Sequence, residues 1–78
     1  MTNREKYIAI FKKALEIKDD NFQYVTADNL KNWDSVTHLE LVLALEEAFG
    51  INLNPEEILS LNSFESGLEV LKKHDVQF

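Results

Sequence analysis

The chain has 78 residues, of which 8 are basic and 14 acidic, and its net charge is −6. It contains no cysteine, two histidines and two glycines, so disulfide bonds, thiolate zinc sites and glycine-rich phosphate loops are excluded, and we expect one domain over residues 1–78. No apolar run is longer than that of Leu41–Leu45, so we expect no membrane insertion. No signal pattern opens the chain and the acidic charge repels phosphates, so we expect a cytoplasmic location and no nucleic acid partner.

The first predicted element is a helix from Asn3 to Lys18. Thr2 and Glu5 have the spacing of a capping box, and apolar residues then recur at helical spacing. The polar run Asp19–Asn21 should end this helix. No helical period persists from there to Trp33, which predicts a long connection. We expect three apolar side chains to anchor it on the core: Phe22, Val25 and Leu30.

The clearest element is a second helix over Ser35–Phe49, with Asp34 as its N-cap and Gly50 as its left-handed terminator. At about 100° per residue, one side of this helix forms a sufficient core face. That side consists of His38, Leu41, Val42, Leu45, Ala48 and Phe49.

Two further helices follow. Asn54 as N-cap and Pro55 in the first turn predict a short third helix that ends near Ser60. Ser63 can cap a last helix, whose positive C-terminal residues suit the helix dipole. Its apolar stripe is Phe64, Gly67, Leu68 and Leu71, and its positive residues are Lys72, Lys73 and His74. The sequence therefore predicts an all-α four-helix bundle with a short third helix and a long first loop.

The charge is concentrated in one part of the chain. Residues 32–71 contain eight acidic side chains and no lysine or arginine. Interleaved lysines would have stabilised the helices by about 0.2–0.5 kcal/mol per pair. Their absence indicates a surface that attracts basic partners.

The second helix also has a mixed apolar and acidic stripe opposite its core face. Val36, Glu40, Leu43 and Glu47 follow one another at i, i+4, i+7 and i+11. Single exposed apolar residues need no explanation. Two of them that alternate with two carboxylates, directly after a serine, favour a docking face.

Ser35 is the candidate for chemistry, because unpaired N–H groups at a helix start favour a bound or attached anion. On Asp34 and Ser35 alone, however, a simple helix cap explains the pair better. A hydrolase that uses Ser35 is weaker still. His38 is predicted at the edge of the core with one hydrogen bond, His74 lies near the C-terminus, and Trp33 is predicted to fill space in the core.

One stretch resembles a known family. It begins Trp33-Asp34-Ser35-Val36, continues Leu39-Glu40-Leu41-Val42-Leu43-Ala44-Leu45-Glu46-Glu47-Ala48-Phe49-Gly50-Ile51, and is followed by Pro55-Glu56-Glu57. This sequence closely resembles the acyl carrier protein family, and the resemblance extends to the last helix. It implies a carrier and not an enzyme. Ser35, next to Asp34, would carry a 4′-phosphopantetheine arm that a separate magnesium-dependent transferase takes from coenzyme A, and the thiol of the arm would hold the acyl group as a thioester.

The resemblance also implies partners. Glu40, Leu43 and Glu47 would face the basic docking sites of the phosphopantetheinyl transferase and of acyl-transferring or acyl-modifying enzymes, with Val36 and Leu39 beside them. We expect a monomer without a metal site. The alternative is an unmodified acidic interaction module that uses the same face of the second helix.

Two departures from the family pattern bear on the cargo. Members that serve primary fatty acid synthesis usually have leucine and then an acidic residue after the serine, whereas Val36 is here followed by Thr37 and His38. Fatty acid, polyketide, lipid-linked saccharide and aminoacyl pathways therefore all stay open. Gly67, on the inner face of the last helix, leaves room either for cargo between the helices or for tight helix packing.

Overall fold

Four α-helices build the part of the chain that a computed structural model describes, residues 2–78. They are α1 (Asn3–Leu15), α2 (Ser35–Phe49), α3 (Pro55–Ser60) and α4 (Phe64–Lys73). The all-α class, the short third helix and the long first connection are as predicted. None of the helices among residues 2–78 is both long and apolar enough to span a membrane.

The predicted end of α1 at Lys18 is wrong, because α1 ends at Leu15. Glu16 adopts the left-handed conformation with φ 56°, and the amides of Glu16 and Ile17 donate to the carbonyls of Lys13 and Lys12. This is a Schellman motif, and it returns Ile17 to the core as a half-buried side chain. The helix therefore stops where an apolar residue gains burial, before the polar run is reached.

The connection between α1 and α2 is anchored at several points. A short 3-10 turn, absent from the prediction, spans Asn21–Tyr24 and buries Phe22 against the core. Val25 and Leu30 are half-buried against the same core, as predicted. The amide of Ala27 donates to the carbonyl of Asn62 at 2.8 Å, which ties the connection to the segment between α3 and α4.

The bounds and caps of α2 are those predicted. The Thr37 amide donates to Asp34 Oδ1 at 2.8 Å, and Gly50 ends the helix with φ 63°. Lys6 Nζ donates to the Ala48 carbonyl at 3.1 Å, so α1 supplies a cation to the C-terminal end of α2. Both ends of α2 are thus satisfied by named groups, which holds the helix at a defined position on α1.

The last two helices also begin as predicted. Asn54 and Glu57 form a capping box at α3, and Ser63 and Ser66 form one at α4. None of the six residues of α3 is fully buried. Its position therefore depends on half-buried Ile58 and on hydrogen bonds at its two ends.

The core is rich in aromatic rings. Tyr7 and Phe11 of α1 pack on Phe64 of α4, with ring centroids 4.9 and 5.3 Å apart. Phe22 reaches the same Phe64 ring at 5.0 Å, and Trp33 meets Phe11 edge-on at 5.6 Å. Trp33 is only 7% exposed, which confirms that it fills space in the core.

Gly67 faces Tyr7, and this contact favours tight helix packing over the cargo interpretation of the glycine. A Cβ atom at Gly67 would lie 2.1 Å from the Tyr7 hydroxyl oxygen. The Tyr7 ring is fully buried and its hydroxyl donates to the Phe64 carbonyl at 2.7 Å, while burial raises the pKa of the phenol. The space beside Gly67 is therefore filled by a tyrosine with a fixed hydrogen bond, and tight packing explains the glycine.

Candidate functional site

Ser35 is the first residue of α2 and lies exposed on the surface. The predicted N-cap, Asp34, is confirmed, because its side chain accepts the capping hydrogen bond from the Thr37 amide. The Ser35 hydroxyl is not needed for the cap. It is consequently available to a reagent that approaches from solvent.

Asp34 stays ionised beside that hydroxyl. Hydrogen bonds from the amide and the hydroxyl of Thr37 lower the pKa of the Asp34 carboxyl below its ordinary value. A carboxylate at this position also interacts favourably with the helix dipole. The role of Asp34 that the structure supports is thus to hold the first turn of α2 that presents Ser35.

The predicted docking residues all lie on one exposed side of α2. The apolar members are Val36, Leu39 and Leu43, which are 66%, 55% and 62% exposed. The acidic members, Glu40 and Glu47, are exposed as well. We refer to Val36, Leu39, Glu40, Leu43 and Glu47 together as the outer face of α2.

The eight carboxylates of residues 32–71 fall into two groups: three that accept hydrogen bonds within the fold, and five exposed ones. Asp34 caps α2, Glu46 accepts from the Leu53 amide at 2.8 Å, and Glu57 accepts from the Asn54 amide at 3.0 Å. The remaining five lie exposed: Glu40, Glu47, Glu56, Glu65 and Glu69. The surface charge available to a partner comes from this second group together with Asp34, which is also exposed.

The exposed carboxylates should make the stability of the protein depend on salt. Self-repulsion is expected to lower the melting temperature at low ionic strength, and NaCl or MgCl2 should raise it gradually. The part of the chain that the structure describes holds no three His, Cys, Asp or Glu side chains placed to bind a metal ion. A rise that saturates at micromolar magnesium would contradict this prediction, as would a melting temperature indifferent to both salts.

His38 has two hydrogen bonds, and the prediction of one was wrong. Trp33 Nε1 donates to His38 Nδ1 at 2.9 Å, and His38 Nε2 lies 2.7 Å from the carbonyl oxygen of Ile58. Both ring nitrogens are therefore engaged with fixed partners. His38 is not placed to act as a base for Ser35, which removes the support for a hydrolase.

Leu59 is an exposed residue that sequence reasoning missed. It is 79% exposed and lies in α3 beside Ile58, whose carbonyl meets His38 of α2. The sequence does place two adjacent apolar residues, Ile58 and Leu59, in the predicted short third helix. A helix of this length cannot bury both side chains. Leu59 adds an apolar side chain to the surface near the start of α2.

Comparison with known proteins gives two curated relatives. Acyl carrier protein 1 of the chloroplast from Casuarina glauca and the chloroplast acyl carrier protein from Brassica napus are each 35% identical to this chain over 72 residues, which cover 88% of the chain. The chain belongs to the acyl carrier protein family. Both relatives carry the name acyl carrier protein, the family that the sequence around Ser35 resembles.

The match has a defined extent. The chain spans about half the length, 52%, of the curated relatives that it matches. No family model and no solved structure matches it. The family assignment therefore comes from sequence identity to these relatives, with a helical fold consistent with it.

Proposed function

We propose that this acyl carrier protein holds acyl groups on a 4′-phosphopantetheine arm attached to the hydroxyl of Ser35. The observation that carries the proposal is the exposed hydroxyl at the first residue of α2, next to a cap that does not use it. When bound, the arm supplies a terminal thiol that can hold an acyl group as a thioester. Asp34 supports the attachment site by holding the first turn in place.

A covalent attachment suits this site physically. A phosphodiester at Ser35 would lie at the positive end of the dipole of α2, but that interaction is worth only about 0.3–1 kcal/mol at a surface. Such a weak interaction would not retain a diffusing group. In the attachment step the Ser35 oxygen would attack the pantetheine-side phosphorus of coenzyme A, the pyrophosphate P–O bond would break, and adenosine 3′,5′-bisphosphate and the hydroxyl proton would leave. The phosphodiester bond formed in this way supplies the retention that the surface cannot.

The outer face of α2 is the proposed docking site for enzymes with basic patches, among them a phosphopantetheinyl transferase and acyl-transferring enzymes. It combines exposed apolar area with the carboxylates of Glu40 and Glu47. Electrostatic attraction of this kind speeds encounter more than it strengthens a complex. A carrier that visits several enzymes in turn needs fast encounter and fast release.

The cargo is proposed to lie outside the helical core. Tyr7 fills the space beside Gly67 between α1 and α4, and its hydroxyl is bonded to Phe64. An acyl chain could enter there only by displacing a buried tyrosine. The identity of the acyl group among fatty acid, polyketide, saccharide-linked and aminoacyl classes depends on the partner enzymes.

The test is intact-mass analysis of the protein after incubation with coenzyme A, magnesium and a broad-specificity transferase. The unaltered protein should gain one phosphopantetheine group and Ser35→Ala none. Because Asp34 provides the cap, Ser35→Ala should change the free energy of unfolding by no more than about 0.5 kcal/mol, typical of a surface position. Loss of the adduct can then be assigned to the hydroxyl.

Ser60→Ala is the matched control, since Ser60 is also an exposed serine and lies in α3. It should gain the group as the unaltered protein does. No adduct on the unaltered protein, or an adduct that persists in Ser35→Ala, would reject the proposal. The first of these outcomes would favour the unmodified interaction module.

A further inference from the structure

His38 lies one turn after Ser35 in α2 and joins two other parts of the molecule. Its Nδ1 receives the indole N–H of Trp33, which directly precedes the Asp34–Ser35 pair, at 2.9 Å. Its Nε2 lies 2.7 Å from the carbonyl oxygen of Ile58 in α3. The imidazole of His38 thus links Trp33, which precedes the attachment serine, to α3 through two hydrogen bonds.

The two partners require the same tautomer. An indole nitrogen can only donate, so Nδ1 must accept and carries no proton. A carbonyl oxygen can only accept, so Nε2 must donate and carries the proton. His38 is therefore a neutral Nε2–H imidazole, and neither bond can form with the opposite tautomer.

Both bonds serve groups that have few other supports. The Ile58 carbonyl lies near the C-terminal end of a six-residue helix, where carbonyls lack partners within the helix. The Trp33 indole is buried and stacks near the His38 ring, with centroids 6.1 Å apart. Loss of the imidazole would leave a buried N–H and a helix-end carbonyl without these partners.

We propose that His38 is a positioning residue, which holds Ser35 in the geometry required for attachment of the arm by bridging Trp33 and Ile58. This inference rests on the function proposed for Ser35. Ser35 lies between Trp33 and His38 in the chain, and the bond from His38 to Ile58 fixes the imidazole itself, so loosening either bond would shift the reacting oxygen. Small misplacements of a reacting group cost up to about 100-fold in rate.

Three substitutions separate the two bonds. His38→Asn keeps an acceptor near the Nδ1 position and loses the donor to Ile58, whereas His38→Gln keeps a donor near Nε2 and loses the acceptor for Trp33. His38→Leu loses both. We expect kcat/KM for arm attachment to fall about 10-fold in each of the first two and up to about 100-fold in the third, mainly through kcat because the outer face of α2 is unchanged.

His74→Gln is the matched control. His74 contacts Glu57 Oε2 at 2.8 Å and so also anchors α3, but its hydrogen bonds do not involve Trp33. With all rates measured well below the melting temperature of each variant, His74→Gln should lower stability and leave kcat/KM within about twofold of the unaltered protein. If His74→Gln slows attachment as much as the His38 variants, general loosening of α3 explains the effect and the proposal is wrong.

Nitrogen NMR of the imidazole tests the geometry directly. The expected spectrum of the full chain shows an unprotonated Nδ1 and a protonated Nε2 for His38. The opposite tautomer, or His38→Asn and His38→Gln with unaltered attachment rates, would overturn the proposal.

The two proposals can fail separately. If the unaltered protein gains no arm, the function proposed for Ser35 falls, and hydrogen exchange then decides whether His38 bridges the two groups. The Leu61 amide donates to the Glu57 carbonyl at 3.1 Å and so reports opening of the last turn of α3. Faster exchange of this amide in His38→Asn and of the Trp33 indole N–H in His38→Gln would support the bridge. Unchanged exchange at both would reject it.

Discussion

Replacing Gly67 with alanine is expected to lower the free energy of unfolding by about 2–3 kcal/mol, the size of effect seen when a packed core receives an extra methyl group. Alanine is intrinsically better than glycine in a helix by about 1 kcal/mol, so at an exposed position the same change would stabilise. Here the new Cβ would lie 2.1 Å from Tyr7 Oη and 3.0 Å from Cζ. For a domain of this size the loss corresponds to a melting temperature roughly 10–20 °C lower in a thermal scan.

A double-mutant cycle with Tyr7→Phe checks that Tyr7 is the cause. Removing the hydroxyl deletes the nearest clashing atom and the bond to the Phe64 carbonyl, which costs about 1 kcal/mol by itself. Gly67→Ala should then cost at least about 1 kcal/mol less in the Tyr7→Phe background than in the unaltered protein. A higher melting temperature for Gly67→Ala would mean that α1 and α4 leave room between them, and would restore the cargo interpretation of Gly67.

Reversing the charge of the outer face of α2 is expected to slow the reaction with a basic partner by about 10- to 1,000-fold at low ionic strength, the range of electrostatic rate effects. The variant carries Glu40→Lys and Glu47→Lys, and neither carboxylate is among those that support the fold. Its folding should therefore be little affected. The measurement is kcat/KM for arm attachment as a function of NaCl.

The pair Glu65→Lys and Glu69→Lys is the control, because it makes the same change of net charge on exposed residues of α4. If the outer face of α2 is the docking site, this control pair should slow attachment much less than the α2 pair. Equal losses in the two variants would show that only the total charge matters. The difference between the two should shrink as salt screens the charges.

The second helix could be predicted to the residue because its signals are local. Asp34 before the first turn and Gly50 after the last are sufficient to set its bounds, and the structure has the same N-cap and the same left-handed end. The exposure of Leu43 and Glu47 follows from their angular separation from the core residues. Local chemistry also predicted the capping box at α1 and Asn54 as the N-cap of α3.

The errors, and the choice that the sequence left open for Gly67, concern places where a distant contact decides the outcome. Glu16 takes a left-handed conformation that a glutamate rarely adopts, because Ile17 gains burial by it. The second hydrogen bond of His38 depends on the position of α3, and the role of Gly67 depends on Tyr7 of another helix. None of these partners can be identified from spacing along the chain, since each requires the packed structure.

The hydrogen bond from Tyr7 to Phe64 joins residues 57 positions apart. Helical proteins mostly fold through short-range contacts, but here the rings of α1 cannot be enclosed until α4 exists. During translation, α1 and α2 could pack on each other once both have emerged, but Tyr7 and Phe11 would still lack the Phe64 ring. The aromatic part of the core would therefore close only after Phe64 of α4 has been synthesised.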